Sequence, residues 1–254
     1  MSEPILVCQD LDAGYGSAPV VRAFNLAVRP GEIIAVLGPN GAGKTTALTT
    51  MAGLLPPIGG VVRLDGDLVP ASKPHVVAQR KLCLIADDRA LFPTLTVREN
   101  LEVARSKLGR SVDDIVDLFP ALRNRLSVRA GSVSGGEQQM LAVARALIQE
   151  PKVLLIDEMS TGLAPRIVQD IFAILQRVAS EQGAGVVLVE QHVALALAYA
   201  DRAVVLVHGL TAFSGPAAEL RDNRDRLQGM YLGQSPASPS PSSRPSPSEV
   251  KETT

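Results

Sequence analysis

A glycine-rich segment near the N-terminus has a residue pattern that suits phosphate binding. The segment reads Gly38-Pro39-Asn40-Gly41-Ala42-Gly43-Lys44-Thr45, with Thr46 next, and it lies between an apolar run and a helix-forming stretch. Glycine lets the backbone wrap closely around phosphate oxygens, so that N–H groups and the start of the following helix face the anion. Lys44 adds a positive charge beside the β- and γ-phosphates, and the Thr45 hydroxyl can ligate Mg²⁺. A chance glycine-rich turn is the alternative, which the flanking strand and helix disfavour.

Two carboxylates follow a second apolar run, Val153-Leu154-Leu155-Ile156. A buried strand here would end at Asp157 and Glu158, on the carboxyl edge where open α/β sheets bind ligands. Asp157 would hold Mg²⁺ through its water shell, whereas Glu158 would orient and polarise the water that attacks the γ-phosphate. An acidic pair alone would more often be a solvated turn. Together with the phosphate-binding loop, the pair predicts a catalytic site.

A serine and two glycines precede a helix-forming stretch upstream of Asp157. The segment reads Ser134-Gly135-Gly136-Glu137-Gln138-Gln139. The Ser134 hydroxyl and the two glycine amides, at a helix start, form a second anion site. Ser-Gly-Gly is also a common flexible turn, but the Gln-rich helix after it and the spacing argue against coincidence. The segment resembles the signature of ABC ATPases, and the order of phosphate-binding loop, helical lobe, signature and acidic strand matches that family.

The resemblance covers residues 4–233 and implies an ATPase of the P-loop type with ATP and Mg²⁺ as cofactors. It implies that residues 134–137 serve the γ-phosphate held by an opposite subunit, so that two ATP molecules lie between two such domains. The family also places an aromatic side chain against adenine at the position of Tyr15. A tyrosine of the core or of a turn is the alternative at that position.

Within the family, the chain resembles the ATP-binding subunits of branched-chain amino-acid importers. The stretches that carry this resemblance are 13–16, 91–97, 134–146, 162–165 and 189–191. Such importers pair two different ATPases with two different permeases and a solute-binding protein. The resemblance implies a peripheral subunit at the cytoplasmic face of the plasma membrane, with transmembrane permease subunits, a second ABC ATPase and, indirectly, a solute-binding protein as partners. The implied cargo is a branched-chain amino acid or a similar small polar solute.

One departure from the family pattern concerns the strand that enters the helical lobe. Most members end it with Gln, which touches Mg²⁺ and the attacking water and relays contact to the permease. Asp87 aligns there. The branched-chain subgroup often has Glu, so an acid is expected, although Asp is one methylene shorter. Asp88 is the alternative.

A second departure concerns the histidine that contacts the γ-phosphate in most relatives. Counting back from residues 201–202 aligns Gln191 with it, which matches the subgroup and can donate a hydrogen bond. His192 is the alternative if the loop is shifted. Met159 replaces the proline that usually follows the catalytic glutamate, a change expected to loosen that turn. Val133 replaces the usual leucine before the signature, and we expect an effect on packing alone.

These residues need a sheet to bring them together, and the apolar patterns predict one. Buried strands are predicted at 32–37, 153–157, 186–190 and 203–207, alternating with helices at 45–55, 165–179 and 193–199. Such alternation is typical of a parallel sheet with helices on its faces. The first thirty residues alternate like strands and predict an antiparallel β edge, followed by a hairpin at 60–69. The helical lobe is predicted at about 87–150, with helices at 99–106, 113–118 and 136–149.

Composition and charge exclude several other classes of protein. Lys and Arg number 25 against 26 Asp and Glu, a net charge of −1, so no field attracts nucleic acid and no nucleic-acid partner is expected. Apolar runs are strand-sized, far below the ~20 residues of a membrane-spanning helix. The start of the chain lacks the pattern of a signal peptide. Cys8 and Cys83 have no metal-binding spacing and are expected to be reduced structural thiols.

The end of the chain changes abruptly in composition. Residues 234–254 are rich in Pro and Ser and have almost no apolar side chains, so we expect a disordered tail after an ATPase domain at 1–233. A regulatory segment and a tolerated extension are both open for this tail. A soluble ABC ATPase that remodels protein or nucleic-acid complexes is the alternative function, although the second module, coiled coil or basic region typical of that class is missing. A non-hydrolysing binder is a third, suggested by positions 87, 159 and 191.

Overall fold

The computed structural model describes residues 2–106 and 109–231. Its strands are β1 (Leu6–Tyr15), β2 (Ala18–Val28), β3 (Ile33–Leu37), β4 (Gly59–Leu64), β5 (Asp67–Leu68), β6 (Leu82–Ile85), β7 (Val153–Asp157), β8 (Gly185–Val189), β9 (Arg202–Val207) and β10 (Leu210–Pro216). Its helices are α1 (Lys44–Met51), α2 (Pro74–Gln79), α3 (Val97–Ala104), α4 (Val112–Leu118), α5 (Pro120–Arg123), α6 (Gly135–Leu147), α7 (Pro165–Gln182), α8 (Val193–Tyr199), α9 (Ala217–Arg221) and α10 (Arg224–Tyr231). The tail expected at 234–254 lies outside the described residues.

A six-stranded sheet forms the centre of the fold, in the order β10-β9-β3-β8-β7-β6. β3 pairs in parallel with β8 and β9, β7 pairs in parallel with β6 and β8, and β10 runs antiparallel to β9. Every residue of β3, β7 and β8 is buried, because both faces of the sheet are covered and a continuous apolar run suits that environment. The carboxyl ends of these three strands meet at one edge, which brings the chain after residues 37, 157 and 189 together.

A four-stranded antiparallel sheet, in the order β2-β1-β4-β5, covers one face of the central sheet. Leu11 and Phe24 of this sheet and Leu48 of α1 belong to the same buried cluster as Ile34 and Val36 of β3. The opposite face of β3 joins a cluster with the helices α6 and α7. The mixed α/β fold is confirmed. The antiparallel strands, however, form a sheet of their own and do not extend the edge of the central one.

The helical lobe contains α3, α4, α5 and α6, which pack on one another through buried apolar side chains. Three of these helices begin with a capping box, in which a Ser or Thr side chain and an acidic side chain each accept from the other residue's backbone N–H. The caps are Thr96 on α3, Ser111 on α4 and Ser134 on α6. Because Thr96 is the cap, α3 begins at Val97 and not at the predicted residue 99.

Several boundaries differ from those predicted. The first helix of the central domain ends at Met51, four residues before the predicted end, and α7 continues to Gln182, where Gly183 ends it in the left-handed conformation. The short elements α2, α9 and α10 were not predicted, since they span no more than two turns or so of helix. Cys8 and Cys83 are buried free thiols, and burial raises their pKa to about 12 and about 11. Within the described residues, every helix is too short or too polar to cross a bilayer.

Candidate active site

The glycine-rich loop connects β3 to α1 at the edge where the parallel strands end. Gly38, Gly41 and Gly43 all have positive φ, at 150°, 79° and 99°. A side chain at Gly38 would collide with the backbone carbonyl of Leu206, and one at Gly43 would collide with Val21. The loop therefore follows a path that glycine alone adopts without strain, held between β9 and β2.

Lys44 points back over this loop from the first turn of α1. Its side chain is buried, and Nζ donates hydrogen bonds to the carbonyl oxygens of Gly38 at 2.9 Å and Pro39 at 3.0 Å. Burial lowers the pKa of Lys44, an effect opposed by the nearby carboxylates of Glu158 and Asp157. The ammonium group is thus held at the loop, beside the acidic strand end.

Asp157 is the last residue of β7 and is buried. Its Oδ1 makes no hydrogen bond with the described residues, while its carboxyl group accepts a hydrogen bond from the Thr45 side chain. Burial raises the pKa of Asp157, and the charges of Glu158 and Asp87 raise it further. A buried carboxylate oxygen without a partner, next to a hydroxyl and other carboxylates, has the donor set that a divalent cation such as Mg²⁺ prefers. The residues present therefore fit that cation.

Glu158 directly follows β7 and has a left-handed backbone conformation, with φ of 46°. Its Oε2 accepts a hydrogen bond of 2.7 Å from Nε2 of Gln191, which follows β8. His192 is exposed at the start of α8 and does not line this pocket. Of the two candidates, Gln191 is therefore the one that contacts Glu158.

A pocket of about 400 Å³ joins these groups. It is lined by Tyr15, Val20, Asn40, Gly41, Gly43, Lys44, Thr45, Thr46, Glu158 and Gln191. Tyr15 is 63% exposed at its rim, so it is not a core tyrosine. Of the other loop residues, Ala42 is buried below the loop, and Gly38 and Pro39 turn their carbonyls toward Lys44.

The loop after β6 contains Asp87 and Asp88, the two candidates for a third Mg²⁺ contact beside Thr45 and Asp157. The charge of Asp87 acts on Asp157, whereas Asp88 Oδ1 accepts from the backbone N–H of Ala90 at 3.0 Å. Asp87 Oδ1 likewise accepts from the backbone N–H of Asp88 at 2.9 Å, so both carboxylates are bonded within the loop, and Asp87 is the one whose charge reaches Asp157. The same loop reaches α6, because Arg89 donates to the side-chain oxygens of Gln139 at 2.8 Å and Gln138 at 2.9 Å.

The signature segment forms the start of α6 and lines no part of the pocket at Lys44. Ser134 accepts from the backbone N–H of Glu137, and the Glu137 carboxylate accepts in return from the N–H and hydroxyl of Ser134, both at 2.8 Å. Arg125 also donates to that carboxylate at 2.7 Å and holds its pKa below the usual range. Glu137 thus shapes the helix start through its carboxylate, and its predicted contact with nucleotide stays a prediction.

Sequence reasoning missed several residues around these sites. Val20 lines the pocket, Arg125 holds Glu137, and Ser160 forms buried hydrogen bonds with Glu190. A carboxylate directly after a continuous apolar run was a usable signal for Glu190, since such a position is buried. Nothing in the local sequence pointed to Arg125.

A glycine-rich loop joins the buried parallel strand β3 to α1, and an acidic pair stands at the end of β7, which is separated from β3 by β8 alone. This arrangement defines a P-loop nucleoside-triphosphate hydrolase. Residues 21–161 match the family model described as ABC transporter. The chain therefore belongs to the ABC transporter family, as an ATP-binding subunit with ATPase activity. A soluble remodelling ATPase is not favoured.

Individual relatives support this assignment. The chain is 38% identical over 224 residues to the high-affinity branched-chain amino acid transport ATP-binding protein BraG of Pseudomonas aeruginosa, covering 86% of this chain and 95% of that protein. It is 35% identical to a probable branched-chain amino acid transport ATP-binding protein of Archaeoglobus fulgidus, covering 88% and 96%. A solved ATP-binding subunit of an ABC transporter superposes with a TM-score of 0.77 at 28% identity, covering 91% and 99%. A dimeric cassette bound to ADP and Pi shares the fold, with a TM-score of 0.75 at 23% identity, covering 84% and 98%.

Proposed function

We propose that this chain powers an importer of branched-chain amino acids or of similar small polar solutes, from the cytoplasmic face of the plasma membrane. The cargo rests on the names of the relatives described above, since the transported solute would contact other subunits. The assignment of hydrolysis to particular residues rests on one observation: Glu158 and Gln191 are hydrogen-bonded to each other in the pocket that contains Lys44.

In this proposal the glycine-rich loop holds the triphosphate of ATP. Backbone N–H groups of residues 38–46 and the start of α1 face the phosphates, and the Lys44 ammonium exchanges its carbonyl partners for β- and γ-phosphate oxygens. Tyr15, exposed at the rim, stacks on the adenine ring. Thr45 and Asp157 would hold Mg²⁺, and the charge of the Asp87 carboxylate would add to its attraction. When bound, Mg²⁺ would neutralise charge on the phosphate oxygens.

Glu158 then acts on the attacking water. The carboxylate accepts a hydrogen bond from the water, whose oxygen bonds to the γ-phosphorus as the bond from that phosphorus to the β–γ bridging oxygen breaks. The bridging electron pair leaves with ADP, and the proton of the water passes to Glu158 or to the phosphate. Gln191, already bonded to the Glu158 carboxylate, orients it and donates to the γ-phosphate once ATP is present.

Two chains are needed for a complete site. Because Ser134 and the N–H groups of Gly135 and Gly136 lie outside the pocket at Lys44, we propose that they bind the γ-phosphate of ATP on a second ATPase subunit. Closure of the two chains around ATP and reopening after hydrolysis would move the helical lobes. We propose that transmembrane permease subunits follow that movement by binding beside the loop at Asp87, in a groove of about 340 Å³ between β6 and α6.

The Glu158→Gln protein tests the catalytic assignment. The amide keeps the shape of the side chain but accepts a proton poorly, so kcat should fall by about a hundredfold or more while ATP binding persists. Phosphate release by the purified chain measures kcat, and a fluorescent ATP analogue measures binding. A normal hydrolysis rate in this variant would refute the role of Glu158.

Partners and cargo need a separate experiment. Affinity purification of the tagged chain from solubilised membranes, followed by mass spectrometry, should recover permease subunits and a second ABC ATPase. A solute-binding protein associated with that complex would then be assayed for amino-acid binding. Recovery of soluble partners alone would overturn the transport assignment.

A further inference from the structure

Glu190 is a buried carboxylate that the proposed hydrolysis step does not use. It directly follows β8, is 1% exposed, and precedes Gln191 in the chain. Its Oε1 accepts from the backbone N–H of Ser160 at 3.1 Å, and its Oε2 forms a short hydrogen bond with the Ser160 hydroxyl. The backbone N–H of Met159 also donates to this carboxylate. The Glu190 carboxylate thus accepts hydrogen bonds from three donors, which belong to the two residues that follow Glu158.

Glu158, which directly precedes Met159 and Ser160, has a strained backbone. Glu158 adopts a φ of 46°, a conformation that costs a non-glycine residue of order 1 kcal/mol or more and persists only where the surroundings hold it. Its N–H donates to the backbone carbonyl of Val189 at 3.0 Å, which holds the turn on its amino side. The hydrogen bonds from Met159 and Ser160 to the Glu190 carboxylate hold the turn on its carboxyl side. Both anchors come from the end of β8, so the turn is fixed to the neighbouring strand.

The same segment of chain supplies the partner of the Glu158 side chain. Gln191, next to Glu190, donates to Glu158 Oε2 at 2.7 Å. Residues 189–191 therefore hold the Glu158 backbone, the turn after it and its carboxylate. Met159 takes part because it has an N–H to donate, whereas the proline common in the family has none. The expected loosening of this turn is thus offset by a hydrogen bond that proline cannot make.

We propose that Glu190 is a positioning residue for ATP hydrolysis, which holds the turn at Glu158 through Met159 and Ser160 so that the Glu158 carboxylate meets the attacking water. The inference rests on the proposed role of Glu158. Misplacement of a catalytic group by about 1 Å can cost about a hundredfold in rate. Loss of the hydrogen bonds from Met159 and Ser160 to Glu190 should therefore reduce kcat more than it weakens ATP binding.

The test compares Glu190→Gln with the unaltered full chain. The introduced amide group would place N–H donors against the donors of Met159 and Ser160. The hydrogen bonds that hold the turn should therefore weaken. We expect kcat to fall by about tenfold or more, with the KM for ATP changed by less than about twofold. Ser160→Ala removes one donor, leaves the carboxylate in place, and should lower kcat by a smaller factor. If Glu190→Gln fails to fold, Ser160→Ala and its KM-against-kcat comparison decide the question.

A matched control distinguishes positioning from a general loss of stability. Glu32 lies at the amino end of β3, at the opposite edge of the same sheet, and accepts from the backbone N–H of Arg29 at 2.9 Å and from Arg202 at 3.0 Å. Glu32→Gln should lower the melting temperature without lowering kcat. An equal fall in kcat for Glu32→Gln and Glu190→Gln would overturn the proposal.

The decisive measurement repeats Glu190→Gln in the Glu158→Gln background. Because Glu190 acts through Glu158, the second substitution should change the residual rate by less than about twofold. The same proportional loss in both backgrounds, or an unchanged kcat for Glu190→Gln alone, would overturn the inference and leave the role of Glu158 intact. A normal rate for Glu158→Gln alone would instead remove the role of Glu158, and the inference with it.

Discussion

At the residue scale, the active-site pocket is unbalanced in charge. The negative charges of Asp87 and Glu158 raise the pKa of Asp157, and those of Glu158 and Asp157 raise the pKa of Lys44, the one ammonium group among the residues that line the pocket. Unit charges a few ångströms apart interact by several kcal/mol near a protein surface, so three carboxylates oppose the approach of a triphosphate. A divalent cation at Asp157 would reverse that balance. ATP and Mg²⁺ should therefore bind together more favourably than either does alone.

The Asp157→Asn substitution tests this coupling without relying on catalysis. In the unaltered chain, ATP binding measured with a fluorescent analogue should weaken by about tenfold or more when EDTA replaces Mg²⁺. In Asp157→Asn, binding in EDTA should be tighter than in the unaltered chain, because one opposing charge is gone, and added Mg²⁺ should help less. Asp113→Asn, which removes an exposed carboxylate paired with Arg98 in the helical lobe, should show neither change. Equal Mg²⁺ dependence in both variants would contradict the assignment of Asp157.

Strand register decided some residue choices that the family pattern left open. Gln191 lines the pocket and His192 does not, because strand pairing fixes where the loop after β8 begins. Asp87 lies near enough for its charge to act on Asp157, whereas Asp88 bonds Ala90. A one-residue shift in either loop would exchange these roles. Counting along the chain suggested the observed choice for Gln191, but only the register of β8 beside β7 established it.

At the element scale, three helices of the lobe start with the same capping arrangement, and we propose that one of them also binds an anion. Thr96, Ser111 and Ser134 each accept from a backbone N–H three residues on, and each is bonded in return by an acidic side chain. In α3 and α4 the cap satisfies the helix start alone. In α6 the cap is followed by Gly135 and Gly136, whose N–H groups we propose to bind an anion. In this proposal the same local chemistry serves stability in two helices and binding in the third.

Alanine substitutions at the three caps separate these effects. Thr96→Ala, Ser111→Ala and Ser134→Ala should each destabilise the protein by about 1 kcal/mol, which corresponds to about 2–4 °C in Tm for a chain of this size. Ser134→Ala alone should also reduce ATPase activity, because its hydroxyl belongs to the proposed phosphate site. Thermal unfolding and phosphate release measure the two effects. Equal activity in all three variants would show that Ser134 is a cap and nothing more.

At the scale of the whole molecule, the two proposed anion sites lie in different parts of one chain. The pocket at Lys44 is built on the central sheet, whereas Ser134 and its glycines begin a helix of the lobe and do not line that pocket. A link between them runs through Arg89, which follows the loop at Asp87 and bonds Gln138 and Gln139 of α6. We propose that this link lets ATP at one site affect the other in a complex of two ATPase chains.

A charge placed at Gly135 tests the proposed dimer. A Cβ there would lie 4.0 Å from a guanidinium nitrogen of Arg89 and closer to no other atom, so Gly135→Asp should fold, and a carboxylate at a helix start is favourable for the helix. It would repel the γ-phosphate of the second subunit. With ATP and Mg²⁺, the Glu158→Gln chain should move from 26.8 kDa to twice that mass in light scattering, and the added Gly135→Asp should keep it monomeric.

Gly135→Asn is the uncharged control for this experiment and should retain a larger fraction of dimer. A dimer of equal stability in the Asp and Asn variants would contradict the proposed contact between residue 135 and a phosphate. Absence of a dimer in Glu158→Gln itself would instead count against self-association of this chain and favour a different second ATPase.

The sequence by itself determined the fold class and the class of enzyme, an ABC ATPase. The continuous apolar runs before residues 38, 157 and 190 predicted buried parallel strands, and the residues after them predicted phosphate, metal and water contacts. The strands are confirmed, because the period and apolar character of a run are properties of a short segment, whereas the phosphate, metal and water contacts stay predictions. The short elements α9 and α10 have no such signal, since tertiary contacts hold them in place.

Tertiary structure alone decided how the segments meet. That Gln191 bonds Glu158, that Glu190 clamps the turn through Ser160, and that Glu137 is bound to Arg125 all depend on residues 12 to 33 positions apart. It also decided that the antiparallel strands stack on the central sheet and do not extend it. Strand order and side-chain packing across the sheet fix such contacts, and neither is written in the spacing of residues along one segment.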